Sequence, residues 1–281
     1  MTSPAKAFAP GNISCIFKIH ENQNPEKMGS LGLGFTINRG VTVEAILSDK
    51  NEIYFNNKSI NLPTVKNVVE KLSQSQKIKI TILSDLPLGS GFGISGASAL
   101  ATAYALNSLF DLKSTNLQLA RLSHIAEVEN RTGLGDVTNQ YIGGFLLKLL
   151  PSSEFTAEKI PLDDITVYCK YFSKISTKEI ISNEKITQSI NSSATQALEK
   201  IQELLAQNPK SIKFSDLITI SKNFAQKSGL LTDKKVISTI KEIEKKGGHA
   251  SMIMLGNAVF SDMPFPGSSG LKVSNTPAHL L

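Results

Sequence analysis

The fold is decided by PLGSGFGISGAS, the stretch from residue 87 to residue 98. The alternating run KIKITILSD precedes it at residues 77–85 and predicts a strand, while the run ASALATAYALNSLF follows it and predicts a helix. Glycines let the backbone approach a phosphate group closely, and the start of a helix offers unpaired N–H groups and a positive dipole end. The order of strand, glycine loop (residues 87–98) and helix therefore predicts phosphate binding rather than a plain turn. The residues expected to hold phosphate are Pro87, Gly89, Ser90, Gly91, Gly93, Ser95, Gly96, Ala97 and Ser98.

Two known phosphate-binding motifs, the Walker A loop and the dinucleotide-binding fingerprint, are alternatives for this glycine pattern. The Walker A form G-x-x-x-x-G-K-[ST] is absent, but Gly91, Gly93 and Gly96 match the dinucleotide fingerprint, with Asp111 20 residues after Gly91. A dinucleotide fold needs a strand after its first helix. Here a second helix is predicted over about residues 117–129. This context argues against a nicotinamide or flavin enzyme.

Bulk composition describes a globular chain of one large or two modest domains. The chain has 281 residues, of which 41% are hydrophobic and 19% are charged. It contains no run of 18 apolar residues, and its N-terminus lacks the apolar core of a secretory signal, so we expect a cytoplasmic protein with no membrane association. The net charge of +6 comes mainly from scattered lysines, which favours anionic small substrates over nucleic acid. The two cysteines, Cys15 and Cys169, lie in apolar runs and predict buried free thiols.

The polar segment over residues 151–161 is the predicted boundary between two domains. Before it, strands alternate with glycine-rich turns, one of them expected at Pro10–Gly11. After it come a strand, three or four amphipathic helices and a hairpin around Gly256–Asn257. We therefore predict an α+β domain over residues 1–155 and a smaller α/β-sandwich domain over residues 156–281.

Three segments resemble the motifs of the GHMP kinases, the superfamily of galactose, homoserine, mevalonate and phosphomevalonate kinases. They are KAFAPGNI at residues 6–13, the glycine loop, and GGHASMIMLGNAVF at residues 247–260. The resemblance implies a GHMP kinase-like two-domain fold, with a ribosomal-protein-S5-domain-2-like N-terminal domain and a ferredoxin-like C-terminal domain. It also implies ATP and Mg²⁺ as cofactors, and a homodimer is a further family expectation.

A narrower resemblance, to the archaeal-type pantoate kinases, rests mainly on two segments. They are GSLGLGFTINRGV at residues 29–41 and AEVENRTGLGDVTNQYIGG at residues 126–144. This resemblance implies ATP-dependent phosphorylation of (R)-pantoate to (R)-4-phosphopantoate on the route to coenzyme A. Two other functions stay open. One is a GHMP kinase with another acceptor, such as homoserine or a sugar, and the other is a non-catalytic nucleotide-binding relative.

Asp136 is the candidate catalytic residue. Phosphoryl transfer depends mainly on positioning and charge neutralisation, with one group that orients or deprotonates the attacking hydroxyl. Asp136 ends the segment TGLGD, a glycine-containing loop that is able to present a carboxylate to a pocket. By resemblance it matches the catalytic aspartate of the family. From the residues alone, an N-cap for the following helix is an equal alternative.

Ser95 and Glu127 are the expected Mg²⁺ pair, since magnesium takes few protein oxygens beside phosphate and water. Glu129 is the rival ligand, but helical residues two apart point about 200° apart, so only one of the two glutamates faces the site. Glu127 shares a face with Ala120 and Ser123, whose small side chains leave room for a neighbouring loop.

Three further residues are substrate-binding candidates. Asn12 and Ser30 are expected to contact the substrate because of their positions in the family motifs. Arg131 lies five residues before Asp136. Its guanidinium either binds the carboxylate of the acceptor or favours the C-terminus of the preceding helix.

Overall fold

The computed structural model describes residues 3–162, 164–175, 177–181, 183–208 and 212–281. The strands are β1 (Ala5–His20), β2 (Gly29–Leu47), β3 (Glu52–Phe55), β4 (Lys58–Ser59), β5 (Ile78–Leu83), β6 (Phe145–Lys148), β7 (Glu158–Lys159), β8 (Thr166–Ser173), β9 (Ala250–Met252), β10 (Asn257–Ser261), β11 (Ser269–Lys272) and β12 (His279–Leu280). The helices are α1 (Pro63–Leu72), α2 (Ile94–Phe110), α3 (Asn116–Asn130), α4 (Asp136–Ile142), α5 (Thr177–Ile181), α6 (Glu184–Gln207), α7 (Phe214–Lys227) and α8 (Lys234–Lys245), with a 3₁₀ turn at Ser152–Glu154.

The first sheet is built around the long antiparallel pair β1–β2. Its strand order is β12-β1-β2-β5-β3-β4, and β6 and β7 extend it from the other end of β2. Helix α2 packs across β1 and β2 and is itself covered by α1 and α3. Because α2 is rich in alanine and leucine on all sides, it is buried nearly all round from Ile94 to Leu106. The glycine loop therefore opens into a helix that is fixed in the core.

The predicted turn at Pro10–Gly11 is wrong, because β1 runs straight through it. The pairing register shifts there instead: Pro10 lies opposite Gly40, and Gly11 lies opposite Ile37. Proline lacks an N–H group and is tolerated at such an irregularity of a sheet. A side chain at Gly40 would contact Pro10, so this close approach needs glycine. As a result β1 stays extended and carries its next residues alongside the glycine loop.

The second sheet is four-stranded and antiparallel, in the order β11-β8-β10-β9. Helices α7 and α8 pack on β9, and α6 packs on β1 of the first sheet. The predicted hairpin is confirmed, since β9 and β10 pair from Ala250 opposite Ser261 to Met252 opposite Val259. Within the described ranges, no helix combines the length and the apolar character needed to cross a membrane.

The expected domain boundary at residue 155 stays a prediction. Strands β7 and β12 both follow it in the chain, yet they pair with β6 and β1 of the first sheet. The last residues of the chain thus return to the sheet that holds the first ones.

Candidate active site

One cavity brings the glycine loop together with the loop that contains the candidate base. Its walls are residues 89–95 of the glycine loop, residues 132–136 (the TGLGD loop), Ser14 and Phe17 of β1, and Met254–Leu255 of the β9–β10 hairpin. The side chains of Ser30 and Glu127 also face it. Segments from both sheets therefore meet around one site.

The glycine loop owes its shape to left-handed backbone conformations. Gly91 has φ +86° and Gly93 has φ +64°, values that side-chain-bearing residues rarely adopt. A Cβ atom on Gly93 would also lie 2.9 Å from Gln140 Nε2 and 3.2 Å from Asp136 Cβ. Helix α2 begins directly after Gly93, and the first amides of a helix have no intrahelical partner. The start of α2 is therefore able to donate to an anion in the cavity.

The predicted phosphate-binding residues separate into two groups. Ser98 donates to the carbonyl of Ile94 at 2.7 Å, so its hydroxyl bonds within α2 and does not face the cavity. The hydroxyl of Ser90 donates to the carbonyl of Pro87 and thereby closes the loop on itself. The residues that line the cavity are Gly89, Ser90, Gly91, Gly93 and Ser95. The remaining predicted residues lie outside the described cavity wall and are Pro87, Gly96, Ala97 and Ser98.

Glu127 and Ser95 lie side by side at the start of α2. Ser95 Oγ donates to Glu127 Oε1 at 2.6 Å, and Thr132 Oγ1 donates to the same oxygen at 2.7 Å. Only 2% of Glu127 is exposed. Burial raises the pKa of Glu127 to about 7, although the two hydroxyl groups act in the opposite direction. The rival Glu129 is exposed and accepts a bond from Asn67 at 3.4 Å.

Asp136 is held by a chain of side-chain amides. Asn12 Nδ2 donates to Asp136 Oδ1 at 2.6 Å, and Asn139 Nδ2 donates to Asn12 Oδ1 at 2.8 Å. Burial raises the pKa of Asp136, while the bond from Asn12 and the charge of Lys148 lower it. The alternative role as an N-cap is wrong, because Asp136 is the first residue of α4 and the cap position is Gly135.

Lys148 lies directly behind the cavity wall, next to Gly135, and was not predicted from the sequence. It lies on β6, is 4% exposed, and donates from Nζ to the carbonyl of Gly135 at 2.8 Å. Burial lowers the pKa of Lys148 to about 8, while the neighbouring Asp136 raises it. The available signal was the segment FLLKLL, since lysine is almost never fully buried in an apolar strand without a partner.

Ser14 and Phe17 also line the cavity, and neither was predicted from the sequence. The two residues lie three positions apart on β1. Side chains alternate along a regular strand, so residues three apart point to opposite faces. The pairing with β2 shifts between Ser14 and Ile16, which makes Cys15 an extra residue. This bulge reverses the alternation and turns both side chains towards the cavity.

The predicted substrate contacts occupy three different places. Ser30 lines the cavity, and its N–H group donates to Ser152 Oγ at 2.9 Å. Asn12 is fully buried behind Asp136, where its side chain is engaged by the amide chain. Arg131 is exposed at the C-terminal cap of α3 and is not one of the described residues that line the cavity.

Comparisons with known proteins agree with this geometry. A family model described as the GHMP kinases N terminal domain matches residues 61–144. The chain is 38% identical to a pantoate kinase of Methanocaldococcus jannaschii over 257 residues, which is 90% of each protein. The chain belongs to the GHMP kinase family. This GHMP kinase is also 30% identical to a pantoate kinase of Methanospirillum hungatei, over 91% of this chain and 86% of the relative.

Solved structures confirm the predicted fold class of this GHMP kinase. A protein described as a phosphotransferase related to the CoA biosynthesis pathway superposes with a TM-score of 0.83 at 26% identity, covering 99% of this chain and 98% of that one. Mevalonate-3-kinase from Thermoplasma acidophilum superposes with a TM-score of 0.70 over 100% of this chain and 99% of its own. At 13% identity, that second likeness concerns the fold alone.

The buried Glu127 is expected to reduce the stability of the folded protein at neutral pH. Below about pH 4.5 the carboxyl group is protonated in both states. Between about pH 4.5 and 7 the unfolded chain releases the proton while the folded protein keeps it, so stability falls as pH rises through this window. In metal-free buffer at pH 8, Glu127→Gln should therefore stabilise the protein by about 3 kcal/mol, which corresponds to about 5 °C or more in Tm.

Thermal melts at pH 8 and pH 5 measure this effect, and the gain should shrink at pH 5. Glu129→Gln is the matched control, because that carboxylate is exposed and its replacement should change stability by less than about 0.5 kcal/mol. An equal Tm for wild type and Glu127→Gln at pH 8 would contradict the expected cost of burying this charge.

Proposed function

We propose that the chain transfers the γ-phosphoryl group of Mg-ATP to the 4-hydroxyl of (R)-pantoate. The observation that carries this proposal is the pair of carboxylates, the buried Glu127 and the half-buried Asp136, which face one cavity at the start of α2. A site that only binds a nucleotide needs neither carboxylate in this position. The acceptor is inferred from the two similar pantoate kinases.

Asp136 is the proposed base. The bond from Asn12 and a longer one from Ser14 Oγ at 3.4 Å both reach Oδ1, so the carboxylate has a fixed direction. Asp136 takes the proton of the acceptor hydroxyl as that oxygen bonds to the transferred phosphorus and ADP leaves. The charge of Lys148 favours the ionised form of Asp136, which is the form that accepts a proton.

The glycine loop and the first turn of α2 are the proposed cradle for the phosphates. The N–H groups at the start of α2 and the positive end of its dipole both point to the cavity. Ser95 and Glu127 present oxygen donors 2.6 Å apart on the same wall, and oxygen donors from one or two side chains suit Mg²⁺. When bound, a metal ion would supply positive charge that neutralises the phosphates. Ser95 and Glu127 would hold it.

Lys148 and Ser30 are the proposed partners of the acceptor carboxylate. A Cβ atom on Gly135 would contact Ser30 Oγ and lie 2.7 Å from Lys148 Nζ, so both groups flank the same loop residue. An ammonium group has three donors, and the bond to Gly135 uses one of them. This pair replaces the exposed Arg131 as the candidate carboxylate site.

ADP release with Mg-ATP against a panel of pantoate, homoserine, mevalonate and galactose tests the proposed reaction. We expect kcat/KM for pantoate to exceed that for each other acceptor by about 100-fold or more, because a site with fitted polar partners rejects acceptors that leave them unpaired. Equal background rates with all four compounds would rule out the pantoate assignment.

Lys148→Met tests the carboxylate site, since it removes the charge but keeps an unbranched side chain of similar length. We expect KM for pantoate to rise by about 10- to 100-fold while KM for ATP stays within about twofold, because a charge-assisted bond to the acceptor is lost. Steady-state kinetics with each substrate varied in turn separates the two constants.

Arg131→Gln is the matched control, since it removes the charge of the earlier candidate and should leave KM for pantoate unchanged. A raised KM for pantoate in Arg131→Gln, with none in Lys148→Met, would reverse the assignment.

A further inference from the structure

The β9–β10 hairpin turn contains a leucine in an unfavourable backbone conformation. Leu255 has φ +61°, in the left-handed region where glycine or asparagine is usual. Among the described residues that line the cavity, it is the one non-glycine residue with this conformation. The next residue, Gly256, does not have a left-handed φ, so the chain places leucine rather than the neighbouring glycine at the strained position. Strained residues of this kind cluster at ligand-binding sites.

The surrounding structure holds the strained turn in place. Met254 N donates to the carbonyl of Ser14 at 3.2 Å, and Gly256 N donates to the carbonyl of Ile253 at 3.1 Å. On the other side, a Cβ atom on Gly256 would contact the carbonyl of Ser90, so the turn lies directly against the glycine loop. The hairpin is thus fixed between β1 and the glycine loop, and the side chain of Leu255 remains in the cavity wall.

Leu255 belongs to an apolar wall, which we define as Phe17, Leu134, Met254 and Leu255. Phe17, Leu134 and Met254 are each at least 93% buried, so they are fixed in the core. The ring of Phe17 is supported from behind by Phe224 in an edge-to-face contact, with ring centres 5.9 Å apart. Ser14, Ser30 and Asp136 line the same cavity with polar groups. The site therefore offers a polar and an apolar surface to one small molecule.

We propose that the apolar wall selects acceptors with a branched, quaternary carbon next to the reacting hydroxymethyl group, and that Leu255 is a specificity-determining residue. The inference rests on the proposed function, since pantoate carries two methyl groups on C3, the carbon next to the hydroxymethyl carbon that bears the reacting 4-hydroxyl. An acceptor without them, such as 2,4-dihydroxybutanoate, offers the same carboxylate and hydroxyl groups to the polar side but leaves the wall uncovered.

Leu255→Asn tests this inference, because asparagine has nearly the same shape, tolerates the left-handed conformation and makes the position polar. The measured quantity is the ratio of kcat/KM for pantoate to kcat/KM for 2,4-dihydroxybutanoate. We expect the wild-type ratio to be about 10-fold or more, as for small apolar groups in a fitted pocket, and Leu255→Asn to lower it about 10-fold. Leu255→Met keeps the position apolar and should retain the wild-type ratio.

Two further variants keep the test decisive. Lys113→Asn introduces the same residue at an exposed left-handed position, φ +60°, and should leave the ratio unchanged. Leu255→Ala shortens the side chain without adding a polar group and should also lower the ratio, which covers the case in which Leu255→Asn does not fold.

An unchanged ratio in folded Leu255→Asn and Leu255→Ala would overturn the role of the wall while leaving the proposed reaction intact. Absence of turnover with either acceptor in the wild type would instead refute the proposed function itself.

Discussion

The hydrogen bond from the amide of Asn12 to the carboxylate of Asp136 is the contact on which the rest of the site depends. Asn12 lies on β1, and its N–H group donates to the carbonyl of Phe92 at 2.9 Å, which ties the strand to the glycine loop. Its side chain holds Asp136 and is itself held by Asn139 of α4. One asparagine thus fixes the distance between the phosphate cradle and the proposed base. Its bond also opposes the effect of burial on Asp136, whose pKa would otherwise rise further.

The other carboxylate of the site, Glu127, is buried and lowers the stability of the folded protein at neutral pH. Glu127 is placed by α3, and its oxygen accepts from Ser95 and Thr132, yet burial still holds its pKa near 7. A chain selected only for stability would gain by losing this charge. The presence of this carboxylate beside Ser95 agrees with a role in binding a cation that enters the cavity together with phosphates. Functional sites commonly contain groups that lower the stability of the folded protein.

The parts of the site that local patterns encode were predictable from the sequence. The glycine loop, the helix after it and the TGLGD loop follow from residue types at fixed spacings. Helical geometry allows only one of Glu127 and Glu129 to face the cavity, and the small residues Ala120 and Ser123 favour Glu127. The contributions of Lys148 and Phe17 could not be predicted in this way. Lys148 reaches Gly135 because β6 pairs with β2, and Phe17 reaches the cavity because a bulge reverses the alternation of β1. The turn predicted at Pro10–Gly11 was wrong for the same reason. The register shift found there depends on the pairing of Pro10 with Gly40 of β2, which the local sequence does not reveal.

We propose that Asp136, held by Asn12, acts on the acceptor and not on the nucleotide. A single-turnover measurement with Asp136→Asn tests it most directly, because asparagine is nearly isosteric and is still able to accept the bond from Asn12. We predict that the rate of phosphoryl transfer to pantoate falls by about 100-fold or more, the usual contribution of a positioned base, while the Kd for Mg-ATP stays within about threefold. A transfer rate close to that of the wild type would contradict the account.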